Sequence, residues 1–285
     1  MRLFLLPIST RRTLLYAQRL NNAAQQNQGL MDKVQNKAAA LWAGWENKDS
    51  GWQKTIVKYG NQALRKIPYE EWGLKSVPPL STKRGDDEIK GTDKVEVLFP
   101  GSLIQQSQVE SVLQRLGNER ESLHRKRLFW CFVGMPISAP FALVPIIPNI
   151  PFFYLAYRAW SHWRAISGGK HIQFLLQNHL LVMKPSAVLD EVYIRQNAPL
   201  LSTPDSTTKP GEPINAHPKM PKDAQPTGEM MLLDQKNGKK MTQALDLPQL
   251  EVELERAIWQ VEQAIKKQNA EKDAADNKRD EPKSQ

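Results

Sequence analysis

The chain has 285 residues, a formal net charge of +9 and a mean hydropathy of −0.53, so it is polar overall and long enough for one or two domains. This basic balance predicts an acidic partner, whether anionic lipid, nucleic acid or an acidic protein face, and does not choose among them. The single cysteine, Cys131, excludes an intrachain disulfide, so the chain needs no oxidising compartment.

Residues 1–127 are predicted to form a basic helical region. The opening MRLFLLPISTRRTLLYAQRLNN is rich in arginine, and no acidic residue precedes Asp32, which is typical of a mitochondrial targeting segment. A basic start to a folded helix fits the same residues, and the two interpretations are compatible if the segment is not cleaved. Residues 10–45 contain much Ala, Gln, Leu and Lys and no proline, which favours a helix. A second helix is predicted from Ser50 to about Lys66.

Two features precede the most apolar part of the chain. Ser81–Asp93 is charged and contains glycine, which predicts a loop, whereas Val95–Pro100 is typical of a short strand. Ser107 and Glu110 form a capping-box pattern, which predicts a helix that reaches Arg127 and continues into the apolar block.

Residues 128–166 are predicted to be a membrane segment. No formally charged side chain occurs from Leu128 to Tyr157, a stretch longer than one helix needs to cross the hydrocarbon. Prolines argue against a single straight rod, because each one removes a backbone donor: Pro136, Pro140, Pro145, Pro148 and Pro151. Two topologies remain open, a transmembrane hairpin that turns at Pro145–Pro151 and a single kinked span.

The residues at the two ends of the block favour the hairpin. The positive-inside rule places both basic flanks on one side of the membrane, which a hairpin satisfies and a single span does not. The expected membrane-flanking basic residues, of which the last two snorkel outwards, are Arg125, Lys126, Arg127, Arg158 and Arg164. The expected interfacial aromatic residues are Trp130, Trp160 and Trp163.

Four segments follow the membrane block. Residues 167–196 are predicted to be a post-membrane amphipathic segment, in which Gly168 and Gly169 end a helix and Ser186 begins a short one. Residues 197–245 are rich in proline and lack aromatic residues, which predicts a disordered linker. Residues 246–272 carry apolar side chains at spacings of three and four, which predicts an amphipathic helix that docks, forms a short coiled coil or packs on the chain itself. Residues 273–285 are predicted to be a disordered tail.

Patterns of enzyme chemistry are absent from the sequence. The chain lacks G-x-S-x-G, H-E-x-x-H, G-x-G-x-x-G and paired-cysteine motifs, so we expect no enzyme activity, no cofactor and no catalytic or metal-binding residue. His171 and His179 lack cysteine or acidic neighbours at ligand spacing, which indicates surface or interface histidines. The acidic pair Glu70–Glu71 is expected to be exposed.

Three segments resemble one known family. Met1–Leu20, Asn36–Leu80 and the proline-rich apolar segment are similar to the mitochondrial K+–H+ exchange-related protein family, over roughly residues 1–195. IPYEEWGLKSVPPL, Ile67–Leu80, is the most specific stretch. The resemblance implies an inner mitochondrial membrane protein, with its polar regions facing the matrix, that contributes to K+–H+ exchange. It assigns no ion-binding or catalytic residue to this chain.

The sequence thus predicts an all-α, membrane-anchored protein. Between Arg127 and Arg158 it has no Asp, Glu, His or Lys to carry a proton, so we expect an accessory or assembly subunit rather than the ion-translocating chain. The expected partners are anionic membrane lipid, other inner-membrane subunits of the exchange system and a helix partner for 246–272, and not nucleic acid. The alternative is an inner-membrane scaffold or tether that binds an acidic partner such as the mitochondrial translation machinery.

Overall fold

The computed structural model describes residues 1–19, 37, 40–48, 50–138, 140, 149–201 and 229–280. At its centre lies a mixed sheet with the strand order β2-β1-β3-β4. Its strands are β1 (Arg2–Pro7), β2 (Thr13–Gln18), β3 (Val95–Phe99) and β4 (Leu181–Pro185). β2 pairs antiparallel with β1, while β1, β3 and β4 are parallel neighbours.

Helices surround this sheet, and a short helical stretch at residues 40–46 precedes the first of them. In the described part of the chain the helices are α1 (Trp52–Arg65), α2 (Tyr69–Ser76), α3 (Thr82–Ile89), α4 (Gln106–Asn118), α5 (Glu121–Ile137), α6 (Ile150–Gln177), α7 (Ala187–Leu201), α8 (Gln235–Ala244) and α9 (Pro248–Asp280).

Both faces of the sheet are covered. Leu3 and Leu5 of β1 lie in one core with α2, α4 and α6, whereas Phe4 and Leu6 lie in a second core with α7, α8 and α9. Successive side chains of a strand point to opposite faces, so a strand covered on both sides must be apolar at nearly every position. This requirement accounts for the continuous apolar run of RLFLLP.

The prediction of an all-α, membrane-anchored fold is wrong, beginning at the N-terminus. Residues 2–18 form a β-hairpin in which Leu3 pairs with Ala17, and β1 also pairs in parallel with β3 through Leu3 and Val97. Leucine favours helices locally, but pairing with a distant strand and burial on both faces outweigh that preference here. The strand predicted at Val95–Pro100 is confirmed as β3.

The prediction of a transmembrane hairpin or kinked span in residues 128–166 is also wrong. Within the described residues, no helix reaches the length and apolarity that crossing a membrane requires. Instead α5 and α6 pack antiparallel, with His124 beside His162 and Gly134 beside Leu155. The predicted turn at Pro145–Pro151 lies largely outside the described residues.

The regions after the apolar block also differ from expectation. α6 continues through Gly168 and Gly169, where a helix end was predicted, because both glycines permit close helix contacts. Residues 229–245, predicted to be linker, contain α8 and bury Leu233 and Met241 in the second core. Residues 202–228 lie outside the described part.

The predicted C-terminal amphipathic helix corresponds to α9, which extends to Asp280 and so includes part of the predicted tail. Its apolar stripe packs against the chain's own sheet: Leu250, Leu254, Ala257 and Val261. A coiled coil has no support in this arrangement, because the stripe that would form its seam is already buried.

Gly168 provides a test of the contact between α2 and α6. A methyl group at this position would overlap the backbone carbonyl of Leu74, which cannot move without displacing α2. We expect Gly168→Ala to lower the free energy of unfolding by about 1–3 kcal/mol, measured by urea denaturation. Gly44→Ala is the matched control, because nothing lies within 4 Å of the added methyl and the site is helical. Equal effects of the two substitutions would contradict the close approach.

Candidate functional site

A cluster of buried polar side chains lies where α2, α5 and α6 meet. We name it the Glu71 cluster, and its members are Glu71, His124, Arg158, Ser161 and His162. Burying so many ionisable groups is costly unless each is paired or hydrogen-bonded, so their mutual geometry decides what the site can do.

Helical spacing brings these residues together. Glu71 is on α2, His124 is on α5, and Arg158, Ser161 and His162 lie on one face of α6 because residues three and four apart are neighbours on a helix. These polar positions interrupt an otherwise apolar part of α6. They are the points at which α6 faces the other two helices.

Glu71 and Arg158 form the central ion pair. Nη1 of Arg158 lies 2.7 Å from Oε1 of Glu71, Nη2 lies 3.1 Å from Oε2, and the Ser161 hydroxyl donates to Oε1 at 2.5 Å. Burial alone would raise the pKa of Glu71, but the hydrogen bonds from Arg158 and Ser161 favour the carboxylate and leave its pKa below the usual value. Glu71 is therefore a stable anion whose oxygens are both occupied.

Arg158 also determines the tautomers of the two histidines. Nη2 of Arg158 lies 3.1 Å from Nε2 of His162, and an arginine nitrogen can only donate, so this Nε2 presents its lone pair. The hydrogen of neutral His162 must then lie on Nδ1, which donates to Nδ1 of His124 over 3.0 Å. His124 consequently carries its hydrogen on Nε2, which is buried and lacks a hydrogen-bond partner in the described part of the chain.

Burial keeps both histidines neutral over the physiological range. It lowers the pKa of His162 to about 4, with the Arg158 charge acting in the same direction and Glu71 opposing it. Burial likewise lowers the pKa of His124. The His124–His162 contact is therefore a neutral hydrogen bond and not a charged group that titrates near pH 7.

Glu71, His124 and His162 also form the candidate metal site among the described residues, because one ligand atom from each lies within 4.8 Å of the others. A metal ion at Nδ1 of His162 would require the lone pair there, and the hydrogen would have to move to Nε2, facing the N–H of Arg158. It would also place a second cation beside the guanidinium in a buried site. The residues present therefore fit a hydrogen-bonded ion pair better than a metal ion.

Lys75 lies one turn after Glu71 and is also buried. Its Nζ is 3.4 Å from the centroid of the Trp72 ring, 5.3 Å from that of Tyr157 and 5.2 Å from that of Trp160. The Tyr157 hydroxyl lies 3.4 Å from the same Nζ. Loss of hydration on burial lowers the pKa of Lys75 to about 7, while Glu71 and Glu253 oppose the shift. The ammonium is thus held mainly by aromatic faces.

A second buried polar contact joins His171 of α6 to α3. Nδ1 of His171 lies 2.8 Å from the Pro78 carbonyl, which can only accept, so Nδ1 carries a hydrogen. Nε2 lies 2.8 Å from Oε2 of Glu88, and this contact also requires a proton between the two atoms. His171 was expected at a surface or interface, but its two partners lie within the chain and it is fully buried.

The sequence-predicted site residues lie in different environments. Arg158, expected to snorkel outwards, is buried on Glu71, because that carboxylate offsets the loss of water from the guanidinium. Arg164 donates to the Lys75 carbonyl at 2.9 Å, and Trp160 is half-buried beside Lys75. Five of the predicted residues are exposed: Arg125, Lys126, Arg127, Trp130 and Trp163.

Sequence reasoning missed Glu71, His124 and Lys75 as site residues. Glu71 was expected to be exposed together with Glu70, yet it is fully buried while Glu70 pairs with Arg120 nearer the surface. The available signal was the set of polar residues at spacings of three and four within the apolar sequence of α6. That pattern indicates a polar face turned towards the protein and therefore a buried partner elsewhere.

The adjacent glutamates give a matched test of the ion pair. Glu71→Gln leaves the Arg158 charge buried without its partner, so we expect a loss of about 3–5 kcal/mol in the free energy of unfolding. Glu70→Gln breaks the more exposed pair with Arg120 and should cost only about 0–1 kcal/mol. Urea denaturation measures both. If Glu71→Gln costs no more than Glu70→Gln, the buried pair does not stabilise the contact between α2 and α6.

Comparison with known proteins relates this arrangement to a family. The chain is 31% identical over 191 residues to an uncharacterized protein of Schizosaccharomyces pombe, which covers 67% of this chain and 82% of that protein. It is 25% identical over 197 residues to an uncharacterized protein of Saccharomyces cerevisiae, which covers 61% of this chain and 62% of that protein. No solved structure matches the chain. The family model for mitochondrial K+–H+ exchange-related proteins matches residues 2–176, so the chain belongs to that family.

Proposed function

We propose that the chain contributes to mitochondrial K+–H+ exchange as an accessory or assembly subunit and not as the ion-translocating chain. The observation that carries this proposal is the internal neutralisation of Glu71, the buried carboxylate of the site. Both of its oxygens are occupied, by the two nitrogens of Arg158 and by the Ser161 hydroxyl.

A translocating acid must alternately hold a proton and release it for a cation. Glu71 is poorly suited to that cycle, because the ion pair favours its anionic form. Protonation of Glu71 would leave the Arg158 charge buried without its partner. The same interactions hold the helices in a fixed arrangement, which suits a subunit that acts by binding other subunits rather than by moving ions. The pair joins α2 to α6, and membership of the K+–H+ exchange-related family supports a part for that arrangement in the exchange.

The proposed location is the inner mitochondrial membrane, with the polar regions on the matrix side and anionic lipid as the surface that the chain contacts. Support comes from α5, where three consecutive exposed basic residues, Arg125, Lys126 and Arg127, precede exposed aromatic residues. Phe129, Trp130 and Phe132 are 61%, 59% and 59% exposed, so three large aromatic side chains within four residues of α5 face solvent. Basic and aromatic residues together match the charge and depth of a lipid headgroup region.

Vesicle binding tests this surface. We expect the purified chain to bind phosphatidylcholine vesicles that contain cardiolipin, and replacement of Arg125, Lys126 and Arg127 by Gln to weaken binding by more than tenfold, since each charge contributes about 1 kcal/mol. Replacement of Phe129, Trp130 and Phe132 by Ser should weaken vesicle binding by a similar factor. The control changes Tyr59, Ile89 and Val252, which are equally exposed on other helices, to Ser. Equal binding by all of these proteins would contradict the proposed surface.

Reconstitution tests the accessory role. Mitochondria depleted of this protein should lose K+-dependent proton flux and regain it when the chain is re-expressed. The purified chain alone in liposomes should show no flux above that of empty vesicles, with a K+–H+ ionophore as the positive control. Electroneutral exchange by the pure chain would contradict an accessory role. Normal flux in depleted mitochondria would contradict any part in the exchange.

A further inference from the structure

Lys75 is a buried cation of the site, and no acidic side chain in the described part of the chain forms an ion pair with it. Of the two acids nearest to it, Glu71 pairs with Arg158, and Glu253 accepts from Arg256 at 2.8 Å. Among the described residues Lys75 forms no ion pair, and its hydrogen-bond partner is the Tyr157 hydroxyl. The ammonium is therefore stabilised by ring faces and by one weak hydrogen bond.

Three helices place charged or titratable groups around Lys75. They are Glu71 on α2, Tyr157, Arg158 and Arg164 on α6, and Glu253 and Arg256 on α9. Burial raises the pKa of Tyr157 to about 12, so it stays neutral, while Arg164 contacts the Lys75 backbone carbonyl; two arginines, Arg158 and Arg256, then face two carboxylates. Protonated Lys75 therefore gives an otherwise balanced buried group a net positive charge, whereas neutral Lys75 leaves it balanced.

The ring of Trp72 connects the charge of Lys75 to α9. Nζ of Lys75 lies 3.4 Å from the ring centroid, and the guanidinium carbon of Arg256 lies 4.4 Å from the same centroid. When Lys75 is protonated, two like charges lie against one ring. Arg256 is always charged, so the repulsion is set by the state of Lys75 alone.

We infer that Lys75 is a proton-sensing residue, and that its protonation loosens the contact between α9 and α2 while its deprotonation closes that contact. This inference concerns the response of the chain itself to pH and does not depend on the proposed role in exchange. It gives the molecule a function that neither its family relation nor the Glu71 cluster supplies.

The contact between α2 and α9 is the one that opens, because the contact between α2 and α6 is held more firmly. α2 and α6 are joined by the buried ion pair of Glu71 and Arg158. α9 is joined to α2 near Lys75 by the Trp72–Arg256 contact and by Gln260, whose amide oxygen accepts from the Tyr69 backbone N–H at 3.0 Å. These polar contacts with α2 can open locally while the apolar stripe of α9 remains on the sheet.

The Tyr69 amide is a direct reporter of this opening, because its hydrogen-bond acceptor lies on α9. The control is the Ala17 amide, which donates to the Ser76 hydroxyl of α2 at 2.8 Å and does not involve α9. We expect the opening of the Tyr69 amide, measured by hydrogen exchange and corrected for intrinsic rates, to rise from pH 8.5 to pH 6 by up to about thirtyfold. This limit follows from a lysine pKa of about 7 in the closed state and about 10.4 in an open state in which the ammonium is fully hydrated.

The direction of this pH dependence follows from proton binding. Between these two pKa values the open state binds more protons than the closed state, so acidification favours opening and alkaline pH favours closure. The Ala17 amide should show no comparable pH dependence. Titration of the Lys75 side chain by NMR of its Cε should give a midpoint near neutral pH, well below that of the exposed lysines.

Two substitutions separate charge from packing. Lys75→Met is permanently neutral and should keep the Tyr69 amide protected at both pH values. Lys75→Arg is permanently charged and should leave it open at both. A wild-type Lys75 that titrates with the exposed lysines would overturn the inference even if a variant fails to fold. Unchanged pH dependence of the Tyr69 amide in Lys75→Met would also overturn it.

Discussion

The buried ion pair between Glu71 and Arg158 is the interaction on which the rest of the site depends. It joins α2 to α6 at a point that water does not reach, where breaking it would leave an uncompensated charge. Arg158 also fixes the tautomer of His162 and, through it, that of His124. Because Glu71 pairs with Arg158, Lys75 one turn away contacts the rings of Trp72, Tyr157 and Trp160 instead.

The apolar stretch that dominates the sequence has two roles in the fold. One face of α5 and α6 forms a helix pair and carries the polar residues that meet α2. The other face leaves Phe129, Trp130, Phe132 and Phe153 exposed. A charge-free sequence therefore does not identify a membrane span by itself, since helix packing and an exposed contact surface use the same residues.

The proposed accessory role and the proton-sensing inference rest on different groups. The role depends on an acid that is already neutralised, and the inference depends on a base whose neutral form fits its surroundings better than its charged form. One chain can therefore hold a rigid centre at α2 and α6 and a pH-dependent contact at α9. In a family related to K+–H+ exchange, such a contact would let the chain respond to one of the two exchanged ions.

Local pattern in the sequence determined several elements of this protein. The stretch Val95–Pro100 indicated β3, the capping pattern that begins at Ser50 indicated α1, and spacings of three and four indicated α9. Motifs in Ile67–Leu80 and the flanking segments indicated the family. These features are set by neighbouring residues, so they can be recognised without knowledge of the fold.

Only the tertiary structure decided where the charged and apolar groups of the other segments lie. β1 is a strand because β3 and helices on both sides cover it, and its leucines alone favour a helix. Arg158 is buried because Glu71, 87 positions away, pairs with it, and for the same reason Glu71 forms no ion pair with Lys75. The energy of a buried charge depends on partners that are distant in sequence, so no local pattern distinguishes a snorkelling arginine from a buried one.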